Sequence, residues 1–280
     1  MNIRFGYEIA YDLPAPADLV LLLHLRPELD NRLLAPQILK HNAGGEADIF
    51  IDNFGNRATR LHAPAGTLEL SLDSVCENSG RLDDAEPGAE QHPVADLPHD
   101  VLPYLLPSRY CENDRLGAFA WSRFGSIALG WDRVQAVCDY VHEHLRFDYL
   151  QARATRTAVE AWEERVGVCR DFTHLAITLC RCLNIPARYS TGYLGDIGVP
   201  RDPAPMDFSA WFEVWLGGRW FTFDARHNRR RIGRLVMAYG RDAADCALTI
   251  SFGPHTLKKF RIITEEIETA PPSPPPLASA

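Results

Sequence analysis

No apolar stretch near the start of this 280-residue chain approaches the ~20 consecutive residues needed to span a bilayer. The longest there, residues 19–23, stops at His24. A basic leader is also missing, because Glu8 and Asp12 sit where one belongs. Export is therefore not expected, and the chain reads as cytoplasmic with no membrane partner. Positive charge is in deficit: 29 Lys and Arg against 37 Asp and Glu leave a net charge of −8. That balance argues against nucleic acid or an anionic membrane surface as a partner. C-x-x-C and H-E-x-x-H spacings are absent, and the seven cysteines are spread thinly from Cys76 to Cys246. They read as mostly reduced thiols with no structural zinc. There is no internal repeat.

What is present is an ordinary globular composition, 46% hydrophobic and 24% charged, in a chain long enough for two domains. Ile3, Phe5, Tyr7, Ile9 and Tyr11 alternate with more polar or small residues, the period of a half-buried strand. Strand-like runs follow at 18–25, 47–51, 57–63 and 66–77, separated by turn signals such as Gly44-Gly45 and Pro64-Ala65-Gly66. That rhythm predicts a small antiparallel sandwich. Prolines 87, 93, 98, 103 and 107 suit an extended connector over 84–107. Helical spacing then takes over. One helix is expected from Asp114 to about Phe124, and a second from Asp132 to Leu145. A third should begin behind the capping-box pattern Thr157-Ala158-Val159-Glu160, and a fourth should run from Cys169 to Leu183. Strands return at 187–193, 209–216 and 219–224, with further pieces near 232–238, 246–252 and 257–267. The Pro-rich end, 268–280, lacks the apolar residues to fold.

Two local features carry chemistry. Cys169 falls in the first turn of the fourth helix, where the helix dipole favours thiolate; a buried structural cysteine is the plainer alternative. Gly217-Gly218 joins the runs 209–216 and 219–224 as a two-residue hairpin, with Leu216 opposite Arg219. Extending that register puts Trp211 opposite Asp224 and Ser209 opposite Arg226. Ser209 and Asp224 become diagonal neighbours on one face. The same extension sends His227 to the opposite face, and helical geometry turns His174 about 140° away from Cys169. Trp211, Trp215 and Trp220 read as packing the hairpin against the helices. The Arg229-Arg230-Arg231 run, with Arg234, reads as a solvated or salt-bridging loop.

Gly167-Val168-Cys169-Arg170-Asp171-Phe172, then Met206-Asp207-Phe208-Ser209-Ala210-Trp211, then Phe221-Thr222-Phe223-Asp224-Ala225-Arg226-His227-Asn228 resemble the ordered motifs of the transglutaminase-like superfamily. The nearest likeness is the bacterial type with a β-sandwich before the core. The resemblance implies an α+β fold: a sandwich domain and connector over 1–110, a cysteine-proteinase-like core over 111–267, and a disordered tail. It also implies a papain-like triad in which Cys169 is the nucleophile and Asp224 the orienting carboxylate. The histidine slot, in a motif usually read D-F-H-A-W, holds Ser209. Peptide or isopeptide amides are the implied substrates, attacked through a Cys169 thioester, with the Cys169 backbone N–H contributing to the oxyanion hole. No metal or organic cofactor is implied, and no dense acidic loop suggests calcium. A serine hydroxyl has no basicity near neutral pH, and loss of a general acid–base costs about 10²–10⁴ in rate. The family chemistry is thus expected to be impaired here. The alternative is a catalytically silent binding or assembly module that keeps the cleft.

Overall fold

A computed structural model describes residues 1–267; the tail expected to be disordered lies outside the described residues. Six strands open the chain: β1 (Asn2–Leu13), β2 (Ala17–Leu21), β3 (Lys40–His41), β4 (Asp48–Ile51), β5 (Arg57–Ala63) and β6 (Gly66–Glu77). Four helices follow, α1 (Asn113–Phe124), α2 (Trp131–His144), α3 (Ala158–Glu164) and α4 (Cys169–Cys182). A short parallel pair, β7 (Arg146–Phe147) and β8 (Val166–Gly167), flanks α3. The remaining strands are β9 (Ala187–Tyr193), β10 (Ser209–Leu216), β11 (Arg219–Phe223), β12 (Leu235–Gly240), β13 (Thr249–Phe252) and β14 (Thr256–Ile267).

The fold is α+β, with a sandwich and a helix-covered sheet. The sandwich consists of two antiparallel sheets ordered β14-β1-β6-β3 and β13-β2-β5-β4. Ile3, Phe5, Tyr7 and Ile9 of β1 face Leu19, Leu21 and Leu61 in its core, as period-2 burial requires. Its outer strand β14 comes from the far end of the chain and pairs along β1 from Asn2↔Ile267 to Asp12↔Thr256. The sandwich is therefore built from both ends of the sequence.

The second body is the sheet β11-β10-β9-β12 with α4 on one face. Ala210, Phe212, Val214 and Leu216 of β10 share a core with Phe172, Leu175, Ala176 and Leu179 of α4. The hairpin turns where expected: Gly217 and Gly218 sit at φ 54° and 82°, a pair of positive angles that glycine takes without strain. The tryptophans lie elsewhere than the helix side. Residues of odd number along β10 point away from α4, so Trp215 stacks edge-on with Trp220, which meets Tyr104 of the proline-rich segment. That segment is a packed strap. The Ala89 carbonyl accepts the Trp131 N–H at 3.2 Å, the Glu90 carbonyl accepts the Gly217 N–H at 2.9 Å, and Leu97 and Val101 are buried.

The capping box at α3 forms as its sequence predicts, with Thr157 Oγ1 accepting the Glu160 N–H and Glu160 accepting the Thr157 N–H. Thr157→Ala is expected to cost about 1 kcal/mol. A lower urea midpoint at unchanged m value would show it; an unchanged midpoint would mean that packing alone fixes α3.

Candidate active site

β8 delivers the chain to Val168, whose extended backbone (φ −110°, ψ 178°) turns into α4 at Cys169. The Asp171 carboxylate reaches back to accept the Val168 N–H at 2.9 Å, and Arg156 Nη1 holds the same carboxylate oxygen at 3.1 Å. Glycine at 167 permits this closure, since a Cβ there would stand 2.6 Å from the Asp171 Cβ. Thr173 Oγ1 donates to the Cys169 carbonyl at 2.9 Å. The sulfur itself receives the backbone N–H of Ala210, which lies just past the last rung of the β10–β11 ladder, Phe212↔Phe223. One element supplies the thiol and another supplies its hydrogen-bond donor.

Burial pushes the Cys169 thiol up to about 11. Arg226 and the Ala210 N–H pull it back, while Asp207 and Asp224 push it further up. Desolvation therefore outweighs the helix dipole invoked from sequence, and the thiol keeps its proton at neutral pH. Attack by this sulfur requires a base.

Ser209 is buried and adjoins the Ala210 amide that holds the sulfur. Asp224 is buried too, but its hydrogen bonds go to other partners. Arg234 Nη2 donates to Oδ2 at 2.9 Å, and His227 donates its backbone N–H to Oδ1 at 3.0 Å. His227 Nδ1 lies 2.9 Å from Oδ2. Burial would raise the Asp224 carboxyl, yet Arg234 and the His227 contacts overcome it and hold it well below the usual range. Here the structure corrects the sequence reading, which sent His227 to the opposite face. The ladder ends at Phe223, and a turn closed by the Asn228 N–H on the Asp224 carbonyl folds His227 back over the carboxylate. His174 is the histidine that stays away: it is fully buried, and its Nε2 accepts the Ala243 N–H at 3.1 Å.

Ser209 and His227 line one cleft of about 70 Å³ with Tyr149, Asp207 and Arg226. Residues Asp196, Asp202 and 204–206 continue its wall into a groove of about 770 Å³ that runs along 260–266 of β14. Among the described residues, β14 has a neighbour on one side only. The arginine run is structural: Arg231 is buried on the Gly195 carbonyl, and Arg230 and Arg234 bind Asp83. Among the described residues, no cluster of three His, Cys, Asp or Glu side chains forms a metal site, and no helix is long and apolar enough to cross a membrane.

Residues 126–225 match the family model of the transglutaminase-like superfamily. The crystal structure of a candidate cysteine protease from Cytophaga hutchinsonii superposes with a TM-score of 0.83 at 32% identity, covering 96% of this chain and 92% of that one. The chain belongs to the transglutaminase-like superfamily. An uncharacterised protein of Mycobacterium leprae is 31% identical over 212 residues, 71% of this chain and 73% of that protein. The periplasmic domain of TgpA from Pseudomonas aeruginosa is more distant, at 17% identity and a TM-score of 0.36 over 78% of this chain and 90% of that domain. The superfamily match ends at residue 225, just beyond Asp224 and short of His227. Arg226, Asp207 and Tyr149 were not singled out from sequence. The first two sit inside the motifs that carry the resemblance; Tyr149 has no local signal, because only the fold brings it to the cleft.

Proposed function

We propose that the chain is a cysteine acyl-transfer enzyme acting on peptide or isopeptide amides through a thioester on Cys169. The observation that carries this reading is the thiol at the start of α4, in the field of Arg226 and Asp207, two residues that line a cleft with Ser209 and His227. The groove supports a polypeptide as substrate, because β14, an edge strand among the described residues, offers backbone groups to an extended chain. The protease description of the Cytophaga relative agrees with it. Sulfur would add to the amide carbonyl, and the Cys169 N–H at the positive end of α4 would stabilise the oxyanion. Water or an amine would then release the acyl group.

A second reading is favoured by one specific observation: serine stands in the histidine slot beside a thiol held protonated by burial. On that reading the chain binds polypeptide and turns nothing over. Incubating the full chain with a panel of peptide amides and activated esters, with mass spectrometry of the Cys169 peptide, separates the two. The enzyme reading expects an acyl adduct on Cys169 and product release. Folded protein that forms no adduct with any member leaves the binding module.

A further inference from the structure

We propose that His227 is the general base and acid of the Cys169 reaction, filling from the Asp224 turn the role that position 209 cannot. The proposal rests on the acyl-transfer reading above. Its physical basis is the way that the turn presents the ring. The backbone and Nδ1 of His227 both bind Asp224, at 3.0 and 2.9 Å, so the carboxylate holds the residue once at its backbone and once at its ring. An anionic carboxylate can only accept, so Nδ1 carries a proton, and in the neutral ring the lone pair is on Nε2. Arg234 holds the same carboxylate in place. Nε2 makes no hydrogen bond among the described residues, and the side chain is 19% exposed on the wall that it shares with Ser209. The neighbouring amide of Ala210 grips the sulfur, and the Asp224 charge is felt there.

The other candidates are weaker. His174 is sealed in the core with its Nε2 already accepting a hydrogen bond. Asp207 lines the same cleft, but no side-chain hydrogen bond orients it among the described residues, whereas His227 is held by Asp224.

As sulfur adds to the amide carbonyl carbon, Nε2 takes the thiol proton. When the C–N bond breaks, the imidazolium returns that proton to the departing amine nitrogen, leaving the thioester and neutral His227. In the second half Nε2 takes a proton from water or an acceptor amine, whose oxygen or nitrogen attacks the thioester. The C–S bond then breaks, and the proton goes back to sulfur.

Single-turnover acylation of Cys169 by p-nitrophenyl acetate, followed in the full chain, tests the assignment. His227→Asn can still donate to Asp224 but has no second nitrogen, so it should fold normally and acylate about 10²–10³-fold more slowly. His227→Ala should recover at least tenfold when free imidazole is added, which a purely structural role would not allow. Asp207→Asn should lose far less than His227→Asn. If His227→Asn acylates at the native rate, or Asp207→Asn alone abolishes acylation, His227 is not the base while the Cys169 reading survives. If the folded native chain gives no adduct at Cys169, both proposals fall together.

Discussion

Cys169→Ala should abolish acyl turnover, by at least about 10⁴-fold, because loss of the nucleophile removes the only covalent route and leaves binding alone. Its fold should survive. The side chain is small and half-buried, and the shape of the α4 start is set by Asp171, Arg156 and Gly167 rather than by sulfur. A change in stability within about 1 kcal/mol is expected, since no large cavity opens and only the Ala210 N–H loses a partner. Labelling gives an internal control. The other six cysteines are buried, so iodoacetamide should modify the native fold at Cys169 and leave the Cys169→Ala protein almost untouched. Because burial pushes the thiol to about 11, the labelling rate should keep climbing with pH beyond 8 rather than level off near neutrality. Turnover that persists in Cys169→Ala would place the nucleophile elsewhere and end the thioester mechanism for this chain.

The sequence makes strands legible where burial alternates, as along β1, and makes the hairpin legible through two glycines that must take positive φ. It does not make partners legible. Nothing in the alternation of 256–267 says that this segment will lie against the first strand of the chain, since the pairing is fixed by which buried face needs covering. The same limit applies to the tryptophans. Register assigned the odd and even residues of β10 to separate faces, but only packing shows that α4 covers the even one. At the site, Cys169 was readable from its place at a helix start. Its raised pKa was not, because desolvation is a property of what folds around it. A strand extended past Phe223 puts His227 on the wrong face, because the ladder stops there. Asp224 is a residue that caps turns, and its acceptance of the His227 N–H is the local bond that ends the strand. The Asp-x-x-His spacing was thus a turn signal as well as a possible dyad.

Adding imidazole at position 209 should matter most where His227 has been disabled. Ser209 shares a cleft with His227 and precedes the Ala210 amide that acts on the sulfur, so a histidine there would add an imidazole to the wall that His227 occupies. In the His227→Asn background, Ser209→His should raise acylation of Cys169 by about two powers of ten, the usual worth of a placed acid–base. In the native background the gain should stay below about tenfold, because one base already serves the thiol and a second adds little when the two do the same work. Ser209 is buried beside a cleft of about 70 Å³, so the larger ring must find its room there, and a folding check by circular dichroism accompanies each variant. The pair of measurements is diagnostic. A native-background gain of a hundredfold or more would mean that the chain as it stands lacks a working base, which restores the impaired-enzyme reading and removes His227 from the chemistry. No recovery in the folded double variant would put position 209 out of proton-transfer reach of Cys169, and the serine there would then mark a site whose geometry no longer supports the superfamily's arrangement.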